Sequence, residues 1–221
     1  MGIEQKGMLS PFTLFTSIIT GSFFPLLGSF FASLFLNKIY WNGVILTALG
    51  GFLAHYLLAH TIHDLFHYKI EKRATLSKTS LKILLIVSLI ILLFIAIYLA
   101  YHSGWPVIVF AVIGAIASMY AEGLIHHESQ MAFGAMFLVI GSFYVQMGYY
   151  RSVDEVFKLG KEWIEVILLS LFAFFSQYGW LLFYRLDDYG WNAKKRNESI
   201  LITKIGLIFL TLVFAVHVLW K

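Results

Sequence analysis

Three histidines and an aspartate share one face of a predicted helix near residue 64. His60, His63, Asp64 and His67 follow i, i+3, i+4, i+7 spacing, which places them within an arc of about 100° on an α-helix. Glu71, one turn further on, falls in the same arc. Imidazole nitrogens suit Zn, Fe, Cu or Ni, whereas carboxylate oxygens suit Mg²⁺. The pattern therefore indicates either a metal site or a polar helix end at a membrane surface.

Two further polar segments are predicted on the same side of the membrane. Residues 184–198 place Asp187 and Asp188 beside Arg185 and three consecutive basic residues that begin at Lys194. Residues 121–129 contribute two more acids and two imidazoles, Glu122, His126, His127 and Glu128. Ionisable groups at a membrane edge are costly and usually face a bundle interior or a water-filled cavity. Their concentration at one face favours a functional site there.

The remaining histidines of interest, His55, His102 and His217, stand alone in apolar sequence. A single histidine near a helix end is more often an interfacial residue than a ligand. On an ideal α-helix His55 also lies about 140° from the face that carries His60. We therefore interpret these three as interfacial side chains.

Membrane-spanning helices must position these polar residues. The chain has 221 residues, of which 60% are hydrophobic and 13% charged, and its mean hydropathy is +0.81. A soluble domain of this size could not bury so much apolar surface. Apolar blocks of about 20 residues or more predict helices that cross a bilayer. We expect seven of them in an all-α polytopic bundle that forms a single membrane domain, residues 1–221, with spans near 10–36, 39–67, 80–101, 105–121, 129–150, 161–184 and 199–220.

The basic residues predict how the bundle is oriented. Of the 16 Lys and Arg residues, 11 fall on the side of the His60 cluster and 5 on the other. The excess of positive charge marks the cytoplasmic side, so we expect the N-terminus and the three polar segments there, in a plasma membrane. This charge explains the pI near 9.2 without a nucleic-acid partner. The chain has no cysteine, which excludes disulfides and thiolate chemistry.

The segment HTIHDLFHY, residues 60–68, resembles a motif of the UbiA superfamily of intramembrane prenyltransferases. That family carries N-x-x-N-D-Y-x-D-Y at the end of its second helix, and Asp64 and Tyr68 match it. Histidines replace both asparagines and the second aspartate, and Leu65 replaces the first tyrosine. Residues 126–148 resemble the menaquinone-biosynthesis branch, whose members act on dihydroxynaphthoate. The resemblance implies the UbiA fold.

The second Asp-rich motif of that family, N-D-x-x-D, falls on FYRLDD, residues 183–188. Asp187 is in register, whereas Phe183 and Tyr184 replace the Asn and the first Asp. The family usually has three helices after this motif, and this chain has one predicted helix there. The resemblance therefore covers the first seven helices of the family.

The resemblance implies transfer of a prenyl group from an isoprenyl diphosphate to a small aromatic acceptor, with Mg²⁺ as cofactor. In this chain Asp64, Asp187 and Asp188 would be catalytic and would hold Mg²⁺ with help from Glu71. The diphosphate would contact basic residues near both motifs: Lys69, Lys72, Arg73, Arg185 and Lys194.

Two other functions fit the same residues. The altered motifs and missing helices are compatible with a lipid- or quinone-binding subunit without catalysis, in contact with membrane lipid and a partner subunit or a second copy of the chain. Alternatively, His60, His63, Asp64 and His67 form a soft-metal site for Zn or Fe, with haem as a variant.

Overall fold

The computed structural model describes residues 11–66, 76–123, 128–186 and 190–220, and within these ranges the chain forms helices and no strand. Helix α1, residues 11–36, consists of Pro11–Ile18, a π-helical turn Ile19–Phe23, and Phe24–Leu36. Helix α2, residues 41–66, consists of Trp41–Leu53, a second π-helical turn Ala54–Ala59, and His60–Phe66. The others are α3 (Lys78–Ser103), α4 (Pro106–Gly123), α5 (Glu128–Tyr150), the short α6 (Val153–Phe157), α7 (Lys161–Tyr184) and α8 (Ala193–Leu219).

The helices are those of an integral membrane protein, which confirms the all-α polytopic bundle. In the described part of the chain, six helices are long and apolar enough to cross a bilayer: Leu14–Leu36, Trp41–Phe66, α3, Ser129–Tyr150, α7 and α8. The apolar part of α4, Pro106–Ala117, is shorter, so the expected count of seven spans stays a prediction. Large apolar side chains cover the outside, as on α3, where Phe94 is 69% exposed. Lipid accommodates such surfaces, whereas water does not.

Helix α5 is the centre of the bundle. It packs against α1, α4 and α7, and Val139, Phe143, Tyr144 and Met147 on it are fully buried. Helices α3 and α8 are the most peripheral spans, with only 17% of their apolar windows buried. The interior that could hold a ligand is therefore built around α5.

The turn between α1 and α2 is fixed to α5 by a buried glutamine. Asn37 ends α1 in the left-handed conformation, with φ of 50°, which is a common way to terminate a helix. The Tyr40 N–H then donates to Gln146 Oε1 at 2.9 Å, and Gln146 Nε2 donates to the Tyr40 carbonyl at 3.0 Å. The first bond gives the Tyr40 N–H a partner in the protein interior, and the Tyr40 carbonyl also accepts from the Val44 N–H at 3.1 Å.

Helices α1 and α2 cross in backbone contact beside their π-helical turns. A Cβ on Gly51 would lie 2.1 Å from the Gly21 carbonyl oxygen, and a Cβ on Gly21 would lie 2.6 Å from the Gly51 carbonyl oxygen. Pro25 follows the first π turn closely. Because a proline ring clashes with the carbonyl four residues earlier, which here belongs to Gly21, the wider π turn gives that carbonyl room.

Candidate functional site

The His60–Asp64 segment forms the last turns of α2, at what we call the Asp64 end of the bundle. His63 Nδ1 lies 3.5 Å from Asp64 Oδ1, and the Asp64 side chain is 19% exposed. Helix α3 begins at this end and α7 finishes there, because consecutive spans run in opposite directions. The structure thus places Asp64 at the edge of the bundle interior, with its carboxylate reachable from outside.

The second π turn changes the face on which His55 lies, and the interpretation of His55 as an interfacial residue is wrong. The rings of His55 and His60 are 5.5 Å apart in an edge-to-face arrangement, although an ideal α-helix would separate them by about 140°. In a π turn the hydrogen bond spans five residues instead of four, so residues i and i+5 come onto one face. His55 faces the bundle interior, where its Nδ1 lies 3.1 Å from Ser17 Oγ on α1.

Several predicted site residues lie outside the residues that the structure describes. They are His67, Lys69, Glu71, Lys72, Arg73, Asp187 and Asp188, together with His126 and His127. Of the predicted diphosphate ligands that are described, Arg185 is half-buried at the C-terminal end of α7, and Lys194 is exposed in the first turn of α8. Both belong to the Asp64 end, but the roles assigned to them stay predictions.

The described residues alone do not fit a Mg²⁺ ion. Mg²⁺ prefers oxygen ligands in octahedral geometry, and among the predicted ligands only the Asp64 carboxylate is described. Within the described ranges, no three His, Asp or Glu side chains come close enough together to hold a metal. The predicted Mg²⁺ site and the alternative site of His60, His63, Asp64 and His67 both depend on residues outside those ranges, so we derive no step through a metal.

An apolar cavity of about 160 Å³ lies inside the bundle, between α1, α2, α3, α4 and α5. Many of its walls are formed by small residues, including Gly50 and Ala54 on α2, Ala96 on α3, and Gly114 and Ala115 on α4. Bulkier apolar side chains such as Phe110 complete it. Its lining contains no Lys, Arg, Asp or Glu among the described residues. The cavity therefore suits an apolar, uncharged ligand.

The cavity is elongated along α2 and ends near the polar cluster. Its lining on this helix runs from Leu46 to Ala59, which at 1.5 Å per residue corresponds to about 20 Å. Asp64 follows Ala59 by five residues, about 8 Å further along the axis. Only His55 and a few hydroxyls, among them Thr20 and Thr47, add polar atoms to the lining. A narrow apolar space thus leads from the middle of the bundle towards the carboxylate.

A buried acid that was not among the predicted site residues lies at the opposite end of the bundle, which we call the Glu165 end. Glu165 on α7 is fully buried, its Oε2 lies 2.9 Å from His217 Nδ1 on α8, and its Oε1 lies 3.6 Å from Lys161 Nζ. Lys161 also donates to the His217 carbonyl at 3.0 Å. His217, interpreted singly as interfacial, therefore belongs to an ionic cluster that joins the last two helices. The i, i+4 spacing of Lys161 and Glu165 was the available sequence signal.

The sequence was compared with protein families, with curated proteins and with solved structures, and none of the three comparisons gave a match.

Proposed function

We propose that this membrane protein is a divergent prenyltransferase of the UbiA type, which moves an isoprenyl group from an allylic diphosphate to a small aromatic acceptor. The observation that carries the proposal is the apolar cavity, which runs within the bundle for about 20 Å along α2. A water-soluble substrate does not need a long apolar cavity, whereas a branched hydrocarbon chain does. Its small-residue walls leave room for the methyl branches of an isoprenyl chain.

The polar end of the bundle that carries Asp64 supports a charged head group at the outer end of that chain. A ligand whose tail enters the cavity would place its polar head beyond Ala59, at the end of the bundle where Asp64 lies. Prenyl transfer breaks the bond between C1 and the diphosphate oxygen, and the diphosphate leaves with the bonding electrons. C1 then bonds to the aromatic acceptor, which releases a proton. The protein's own part is to hold the chain, align C1 with the ring and exclude water from the developing cation.

Turnover by the purified protein tests the catalytic part of this proposal. The protein is incubated in nanodiscs with farnesyl diphosphate, Mg²⁺ and 1,4-dihydroxy-2-naphthoate, and both diphosphate release and prenylated product are measured. We expect Asp64→Asn to lower turnover by about 100-fold or more, as for loss of a group that stabilises transition-state charge. Asp154→Asn, an exposed carboxylate on α6 at the Glu165 end, is the matched control and should leave turnover unchanged. Absence of diphosphate release with any aromatic acceptor would refute catalysis.

A graded series at Gly114 tests the binding part. Gly114 lines the cavity, and a Cβ there would meet no atom within 4 Å. Ala, Val and Leu at this position therefore fill the cavity without moving a helix. We expect isoprenyl binding to weaken in this order, by about tenfold or more for Leu, which corresponds to about 1.4 kcal/mol. Gly160→Ala, which also adds a Cβ into open space but away from the cavity, is the control.

A lipid- or quinone-binding subunit without catalysis is the second candidate. The apolar cavity alone is sufficient for that role, and only one of the predicted carboxylates is described near it. A co-purifying isoprenoid or stoichiometric partner, without turnover, would favour this candidate. In that case Gly114→Leu should displace the isoprenoid, and Asp64→Asn should leave its binding unchanged.

A further inference from the structure

The cavity contains one imidazole that an apolar chain does not require. His55 lines the cavity from the second π turn of α2, and the residue as a whole is half-buried. Leu58 and Ala59, later in the same turn, are fully packed. His55, by contrast, contributes to the cavity lining, although the residue lies far inside a membrane-spanning helix. A polar group in that position is costly unless it has a partner.

Only one of the two ring nitrogens of His55 is occupied. Ser17 Oγ on α1 lies 3.1 Å from Nδ1, and Ser17 is itself fully buried. Among the described residues, no hydrogen bond reaches Nε2. The serine hydroxyl can donate or accept, so Nε2 can present either a lone pair or an N–H. His55 can therefore accept from a hydroxyl or donate to a carbonyl.

The surroundings restrict which ligand atom His55 can meet. No acidic or basic residue of the described part lines the cavity, so a charged phosphate or ammonium group would enter without compensation. A neutral oxygen, by contrast, needs a single hydrogen bond. The cavity volume of about 160 Å³ is close to that of an engineered cavity of about 150 Å³ that binds benzene. The space beside His55 is therefore large enough for a single ring.

We infer that His55, oriented by Ser17, hydrogen-bonds the ring oxygen of a neutral phenol or quinone held in the cavity. The inference deepens the proposed function and rests on the proposed use of the cavity, because it assigns the acceptor ring to the wall that carries His55. The two π turns position His55 and Ser17. One brings His55 onto the cavity face, and the other lies beside Ser17 in α1. Such turns are frequent at functional sites.

A pair of probes that differ in one oxygen isolates this contact. Binding of 4-propylphenol and of propylbenzene is measured by equilibrium dialysis of the protein in detergent, with empty micelles as the partition blank. We expect the wild-type protein to bind the phenol about tenfold more tightly than the hydrocarbon, the size of one buried hydrogen bond. His55→Phe should abolish this preference while keeping the affinity for propylbenzene. His102→Phe, which changes a histidine packed among tyrosines at the Glu165 end and outside the cavity, should retain the preference.

Ser17→Ala provides the second variant and a check on folding. It removes the group that orients the ring but creates no large change in volume, and it should reduce the phenol preference severalfold. Equal affinity of the wild-type protein for the two probes would overturn the inference, as would an unchanged preference in His55→Phe. Neither probe contains a diphosphate and no Mg²⁺ is added. If transfer fails and the preference persists, catalysis is refuted and the His55 contact stands.

Discussion

The crossing of α1 and α2 gives a prediction in which two neighbouring glycines behave in opposite ways. A Cβ on Gly51 would lie 2.1 Å from the Gly21 carbonyl oxygen, whereas a Cβ on Gly50 would lie 3.6 Å from Ile95 Cγ2. Carbon and carbonyl oxygen approach to about 3.3 Å at the closest in ordinary contacts. Gly51→Ala must therefore move the two helix backbones apart by about 1 Å, because a carbonyl has no rotamer by which to withdraw.

The expected difference between the two variants follows from these contacts. Overpacking of this kind costs about 1–3 kcal/mol, and alanine in a helix returns up to about 1 kcal/mol relative to glycine. We expect Gly50→Ala to stabilise the protein slightly or leave it unchanged. Gly51→Ala should be less stable than Gly50→Ala by about 2 kcal/mol or more.

Reversible unfolding in mixed micelles, followed by circular dichroism, measures this difference. The same separation of the helices should move Ser17 away from His55. In the wild-type protein Ser17 Oγ lies 3.1 Å from His55 Nδ1. Gly51→Ala should therefore also weaken the preference for phenol over hydrocarbon. Surface substitutions usually change the free energy of unfolding by no more than about 0.5 kcal/mol. If the free energies of unfolding of the two variants agree within that range, the close crossing of α1 and α2 would be refuted.

Two more predictions concern ionisable groups at the Glu165 end. The Ser152 backbone N–H and hydroxyl bond Glu155 Oε2 at 2.7 and 2.9 Å, and these bonds lower the pKa of Glu155 below its ordinary 4.5. Because the folded-state pKa is the lower one, the carboxylate stabilises the folded state above pH 4.5, and this contribution is lost as the pH falls through the lowered value. At pH 7 the midpoint temperature of unfolding of Glu155→Ala should therefore lie below that of the wild-type protein, and the difference should shrink towards pH 3. A difference that does not depend on pH would contradict the role of Glu155 in the helix cap. Glu165→Leu should destabilise the protein by about 2–3 kcal/mol, less than the 3–5 kcal/mol of a fully buried pair, because His217 is 40% exposed and can be rehydrated. Denaturant unfolding measures this loss against Glu162→Leu, which should cost less than about 1 kcal/mol.

The helices were predictable because their signal is local. A long apolar block inside lipid satisfies its backbone hydrogen bonds within the segment by forming an α-helix. Each of the seven expected segments overlaps a helix of the structure. The short helix α6 was not predicted, since five residues carry no apolar block. Its capping sequence, Ser152 followed by Glu155 three residues later, was the available signal.

The site was less predictable because its geometry depends on two helix irregularities and on partners distant in sequence. A constant rotation of about 100° per residue places His55 away from His60, and the sequence gives no local sign of the π turn that brings them together. Ser17 and His55 are 38 positions apart, as Glu165 and His217 are 52. Pairings of this kind follow from helix packing rather than from any motif.

The location of an isoprenyl chain bound to the protein tests the central claim most directly. A farnesyl diphosphate analogue with a diazirine at the tail end is photolysed with the protein in nanodiscs, and labelled residues are identified by mass spectrometry. We predict labelling of cavity-lining residues on α4 and α5, such as Phe110 and Leu138, and loss of that labelling in Gly114→Leu. Labelling confined to the lipid-facing residues of α3 and α8, such as Phe94 and Phe214, and unaffected by Gly114→Leu would contradict the account.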